Sequence, residues 1–91
     1  MAGNTIQDKI KAGATIIDVR TKDEYDDEFY PGAINIPVNK LESRLADIGP
    51  KEKPVIVYCA TGSRSAMAQM ILKSRGFTDV INAGGLEDMP T

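Results

Sequence analysis

Two short apolar runs constrain this chain more than any other feature. Residues 15–19 (TIIDV) and 54–58 (PVIVY) are too short for independent helices and rich in β-branched side chains, so both predict strands. Neither alternates apolar with polar residues, the pattern of a sheet wetted on one face. Strands of this kind are covered on both faces, and the usual cover is a layer of helices on each side of a parallel sheet.

The remaining segments supply those helices. Residues 5–8 (TIQD) resemble a capping box, with Asp8 in place of the usual Glu, and predict a short helix ending near Gly13. A second box at Thr21 and Glu24 turns the chain helical through Tyr25, until Pro31-Gly32 breaks it. Residues 33–36 read as a short strand stopped by Pro37. Asn39 and Glu42 then predict a capped helix with Leu41, Leu45 and Ile48 on one face and Gly49-Pro50 at its end. A longer helix is predicted over 64–75, with Met67, Met70, Ile71 and Ser74 at helical spacing and Gly76 as its stop. Residues 79–82 (DVIN) predict a last strand before Gly84-Gly85. Strands alternating with helices predict an α/β fold: a small, mainly parallel sheet flanked by helices on both faces. The 91 residues suffice for one domain, residues 1–91, and not for two.

Composition removes several function classes. The chain has no histidine and one cysteine, Cys59. No Ser-His-Asp or Cys-His pair can form, and zinc sites built from several Cys and His are excluded. A single cysteine allows no intrachain disulfide and no C-x-x-C redox pair. The net charge of −2, with both signs interspersed, offers no basic stripe to nucleic acid. No apolar run is long enough to predict a membrane span. The opening residues, with Asp8, Lys9 and Lys11, lack the apolar block of a secretory signal. That predicts a cytoplasmic protein if Met1 is the native start, and a periplasmic one if a signal was removed ahead of it.

The chemistry concentrates in residues 59–65, Cys59-Ala60-Thr61-Gly62-Ser63-Arg64-Ser65, between the best strand and the best helix. Ligands of open α/β sheets bind beyond the carboxyl ends of the strands, where this loop must lie. Gly62 allows left-handed backbone angles, and its small neighbours let successive N–H groups point inward as an anion nest. The following helix presents free N–H groups and its positive dipole end to the same place. A thiol there has its pKa lowered and becomes a nucleophile without a histidine. Arg64 adds a guanidinium able to grip an oxyanion. The bland alternative for Cys59 is a small buried hydrophobe, which leaves the Gly, the hydroxyls and the Arg unexplained. Ser63 and Ser65 serve equally well as helix caps or as ligand contacts. Thr61 reads as turn chemistry.

This loop resembles the C-x-x-G-x-R-S signature of the rhodanese family, with Cys59, Gly62, Arg64 and Ser65 at the matching positions. Residues 17–20 (IDVR), Glu24-Tyr25, residues 31–37 (PGAINIP), Gly76-Phe77 and residues 82–85 (NAGG) follow the family pattern in order. The resemblance implies a rhodanese-like fold and thiosulfate sulfurtransfer through a persulfide on Cys59. Its donor would be a small sulfur-containing anion and its acceptor cyanide, a thiol or a protein thiol, with no cofactor, no metal and a monomeric chain. It also implies a structural role for Asp18 and Arg20, the arginine pairing with Glu24. The chain departs from the pattern at Glu28-Phe29-Tyr30, where relatives have Gly-His, and in its loop, where Arg64 is the lone cation. Its length and Gly-Gly-Leu-x-Asp ending are similar to the small phage-shock type, which is exported to the periplasm.

Two rival readings use the same residues. Cysteine phosphatases and arsenate reductases also join Cys, nest and Arg, but their arginine stands six residues after the cysteine; here it stands five after. A persulfide carrier or sensor for a protein partner would need the same Cys59 cradle and less positive charge than a dianionic donor demands.

Overall fold

The computed structural model describes residues 2–91, with side chains from Thr5 onward. Strands β1 (Thr15–Asp18), β2 (Ile34–Asn35), β3 (Val55–Cys59) and β4 (Val80–Gly85) form one sheet in the order β2-β1-β3-β4, and every pairing is parallel. Helices α1 (Ala2–Lys11), α2 (Lys22–Asp27) and α3 (Ser63–Ser74) and a 3-10 segment (Val38–Asp47) cover it. No helix among the described residues is long and apolar enough to cross a membrane.

Alternation along β3 feeds two cores. Val55, Val57 and Cys59 pack with Leu41, Ile48, Ala68, Leu72 and Phe77, while Ile56 and Tyr58 pack on the other face with Ile16, Ala33, Ala83 and Met89. All five β3 residues are buried, as a strand apolar on both faces requires.

Several elements differ from the sequence reading. Helix α1 starts at Ala2, so residues 5–8 lie inside it; of the residues that pack on the sheet, Ile6 falls in its middle and Ile10 in its last turn. The segment behind Pro37 is 3-10, not α, and Asn39 does not cap it. Val38 and Leu41 are three residues apart, as are Leu45 and Ile48, and three-residue turns stack each pair on one side. A break at Arg44 (φ −123°, ψ 25°) turns both pairs to the core. In α3 the buried stripe is Ser65, Ala68 and Leu72, whereas Met67 and Met70 are 57% and 72% exposed. Small residues there let the helix lie close on the sheet. The stop at Gly76 is as expected, a Schellman turn with Phe77 N–H donating to Leu72 C=O at 3.1 Å and Gly76 N–H to Lys73 C=O at 3.2 Å. Strand β4 runs on through Gly84-Gly85.

The strand order positions the site. From β1 the chain moves to β2 on one side, then crosses back to β3 on the other. The loops leaving β1 and β3 therefore diverge, and the crevice between them is where ligands of open parallel sheets bind. Both α2 and residues 59–65 flank it.

Candidate active site

Cys59 ends β3 at the only irregularity in the β3–β4 ladder. Val57 pairs with Asn82 but Cys59 with Gly85, so β4 carries one extra residue there. The chain then turns at Gly62, whose φ of 106° favours glycine, and enters α3 at Ser63. This turn aims backbone donors at sulfur: Gly62 N–H reaches Cys59 Sγ at 3.0 Å and Ser65 N–H at 3.4 Å. The Ser65 hydroxyl lies 3.3 Å from the same sulfur. Burial pushes the Cys59 thiol up, but the Ser65 hydroxyl and the N–H groups of Ser65, Gly62 and Thr61 outweigh it, and the net shift is downward. A free cysteine without a histidine is thereby biased toward thiolate. Cys59 itself is buried.

Of the other loop residues, Ala60, Thr61 and Ser63 face solvent. Helix α3 begins on Gly62 without a side-chain cap, so neither Ser63 nor Ser65 caps it. Ser65 instead points inward, with its Oγ 2.6 Å from Asn82 Oδ1 and 3.1 Å from the Gly62 carbonyl.

Arg64 does not stand free. Its Nη1 and Nη2 grip Glu24 Oε1 and Oε2 at 2.7 and 3.0 Å, tying the loop across the crevice to α2. Glu24 also completes the Thr21 capping box, as the sequence predicts. Arg64, then the Thr21 backbone, hold the Glu24 carboxyl down at about 2, so it is charged throughout the neutral range. Arg20 turns instead to Asp18, with Nη2 to Oδ2 at 2.6 Å and Nε to Oδ1 at 3.0 Å, and donates to the Glu28 carbonyl. The expected Arg20–Glu24 pair is therefore absent. An arginine two residues from Asp18 closes a local ring, while topology gives Glu24 to Arg64, forty residues away. Asp18 and Arg20 lie beside Tyr58, on the sheet face opposite Cys59, and do not reach the sulfur.

Sequence reasoning missed Asn82 and Asp88. Asn82 accepts Gly84 N–H at 2.9 Å and donates to the Gly62 carbonyl at 3.3 Å; Asp88 accepts Gly85 N–H at 2.8 Å. The available signal was the glycine pair. A Cβ on Gly85 would stand 2.2 Å from the Ala60 carbonyl oxygen, so β4 needs glycine to approach the active loop.

A buried cysteine on an inward-facing N–H nest, at the turn from a parallel strand into a helix, defines a class of domain that works through a cysteine thiolate. The rhodanese-like domain model matches residues 4–89, and the chain belongs to that family. Thiosulfate sulfurtransferase PspE of Escherichia coli is 46% identical over 74 residues, spanning 80% of this chain and 71% of that protein. Among solved structures, a rhodanese with anions from E. coli superposes with a TM-score of 0.80 at 43% identity, covering 86% of this chain and 95% of that one. The human single-domain sulfurtransferase TSTD1 superposes with a TM-score of 0.84 at 29% identity, covering 93% and 88%.

Proposed function

We propose that this chain is a thiosulfate sulfurtransferase that carries sulfur as a persulfide on Cys59. In the first step the Cys59 thiolate attacks the outer sulfur of thiosulfate. The bond from that sulfur to the sulfonate sulfur breaks, sulfite leaves with the electron pair, and Cys59 holds a persulfide. In the second step cyanide, or the thiolate of a small thiol or a protein thiol, attacks the outer sulfur, its bond to Cys59 Sγ breaks, and the Cys59 thiolate is restored. In both steps the nucleophile is already an anion and the leaving group departs as one, so neither needs a general base. The N–H groups of Gly62 and Ser65 hold that charge without reorganising. One copy of the chain, acting as a single domain and a monomer, supplies every group used.

The observation that carries this reading is the sulfur of the sole cysteine seated on backbone N–H donors at the start of α3. Cys59→Ser is the test: it should fold normally and lose thiosulfate–cyanide transfer entirely. Activity well above background in that variant would end the assignment.

One observation favours a second reading. The bidentate Glu24 contact neutralises Arg64, leaving the loop without a free cation to meet a dianion. A persulfide carrier loaded by a protein donor would need no such charge. Loading by a small-molecule persulfide far faster than by thiosulfate would move this reading ahead.

A further inference from the structure

We propose that Asn82 is a positioning residue that sets the proton affinity of Cys59 by competing with its sulfur for the single proton of the Ser65 hydroxyl. The inference rests on Cys59 being the reacting group.

A serine hydroxyl has one hydrogen to donate and lone pairs to accept with. Four acceptors surround Ser65 Oγ: Asn82 Oδ1 at 2.6 Å, the Gly62 carbonyl at 3.1 Å, the Gly84 carbonyl at 3.3 Å and Cys59 Sγ at 3.3 Å. The shortest contact takes the proton in the resting state. The orientation of the Asn82 amide is fixed independently, because its Oδ1 also accepts Gly84 N–H at 2.9 Å and its Nδ2 donates to the Gly62 carbonyl at 3.3 Å. Asn82 therefore presents an acceptor, not a donor, to Ser65.

Two arrangements follow. With Cys59 as a thiol, its S–H donates to Ser65 Oγ, and the hydroxyl donates its own proton to Asn82 Oδ1. When the thiol proton is lost to solvent, the hydroxyl turns from Asn82 to the sulfur anion. Asn82 thus favours the thiol, and the hydroxyl must give up its shortest contact to serve the thiolate or the persulfide. Of the charged groups on the elements around the sulfur, three are tied to the loop or to β4: Arg64 on α3, Glu24 on α2 through Arg64, and Asp88 after β4. Arg64 and Glu24 bond each other, and Asp88 bonds Gly85 N–H. Asp18, Arg20 and Tyr58 are on the opposite face. None hydrogen-bonds to Ser65 or Asn82, so the neutral pair can act on the sulfur without charge.

The test is the rate of Cys59 alkylation against pH in wild type, Asn82→Ala, Ser65→Ala and the double variant. Freeing the hydroxyl for sulfur should speed alkylation of Asn82→Ala about two- to tenfold at a pH below the midpoint, the worth of one hydrogen bond. Ser65→Ala should slow it, and Asn82→Ala should then add nothing. A purely structural Asn82 would loosen the nest and slow alkylation in both backgrounds, and that result overturns the proposal. If Asn82→Ala fails to fold, the S–H stretch decides, since one cysteine gives one band. The proposal requires a lowered stretch in wild type that rises in Ser65→Ala; a free-thiol stretch in both overturns it. Loss of the Cys59 assignment would show separately, as activity in Cys59→Ser.

Discussion

Two arginine–carboxylate pairs stand at the carboxyl end of the sheet, and they differ in nearly everything but chemistry. Arg20 and Asp18 are two residues apart, buried, and multiply bonded to each other, with the guanidinium 5.7 Å from the centre of the Tyr58 ring. Arg64 and Glu24 are forty residues apart, about one-third exposed, and span the crevice beside Cys59. The first pair fixes where β1 ends. The second joins the active loop to α2 and cancels its one positive charge. Burial decides which pair the fold cannot lose, and position decides which one the chemistry notices.

Arg20→Ala gives the largest effect this contrast predicts. It strands Asp18, which has no exposed surface, without a counter-charge. The expected loss is about 3–5 kcal/mol in urea unfolding, a large share of what a domain this size holds. A loss under about 1 kcal/mol would mean that water reaches Asp18 and the corner is not sealed.

Arg64→Ala should divide the other way. Its pair is partly exposed, so stability should fall by less than about 1 kcal/mol. Glu24 would then face the donor site unopposed, and kcat/KM for thiosulfate should drop about tenfold or more. Equal losses of stability and activity would make the two arginines alike and remove the distinction.

Glu24→Gln sharpens it further, with a smaller effect of opposite sign. Releasing Arg64 to the donor should lower KM for thiosulfate about two- to fivefold at low salt, an advantage that added salt erodes. An unchanged KM would show that the charge of Arg64 does not limit donor binding. The same variant predicts a pH signature. Glu24 is held at about 2, chiefly by Arg64, below its value in the unfolded chain. Its contribution is therefore complete above the unfolded value and disappears as pH falls through about 2. Thermal melts of wild type should lose this small increment between about pH 4 and pH 2, and Glu24→Gln should not.

What the sequence made legible was local. The two apolar runs fixed β1 and β3, Thr21 and Glu24 announced their own capping box, and Gly62 marked the left-handed turn, because each signal lies within a few residues of its effect. The partners of Arg20 and Arg64 were not legible in that way. Glu24 sits nearer to Arg20 in the chain, and only the β2-β1-β3-β4 order brings it to Arg64. The outward Met67 and Met70 misled for a related reason: helical spacing identifies a stripe, but the sheet accepted the narrower one of Ser65, Ala68 and Leu72. The NAGG run marked a glycine turn, but not that Asn82 would meet Gly62 and Ser65 across two elements.

The most direct measurement is the intact mass of the protein after exposure to thiosulfate and removal of excess donor. Wild type should gain the mass of one sulfur atom and lose it on addition of cyanide, with thiocyanate appearing in equal amount. Cys59→Ser should gain nothing. An unchanged wild-type mass, or the same added sulfur in Cys59→Ser, would contradict a persulfide on Cys59.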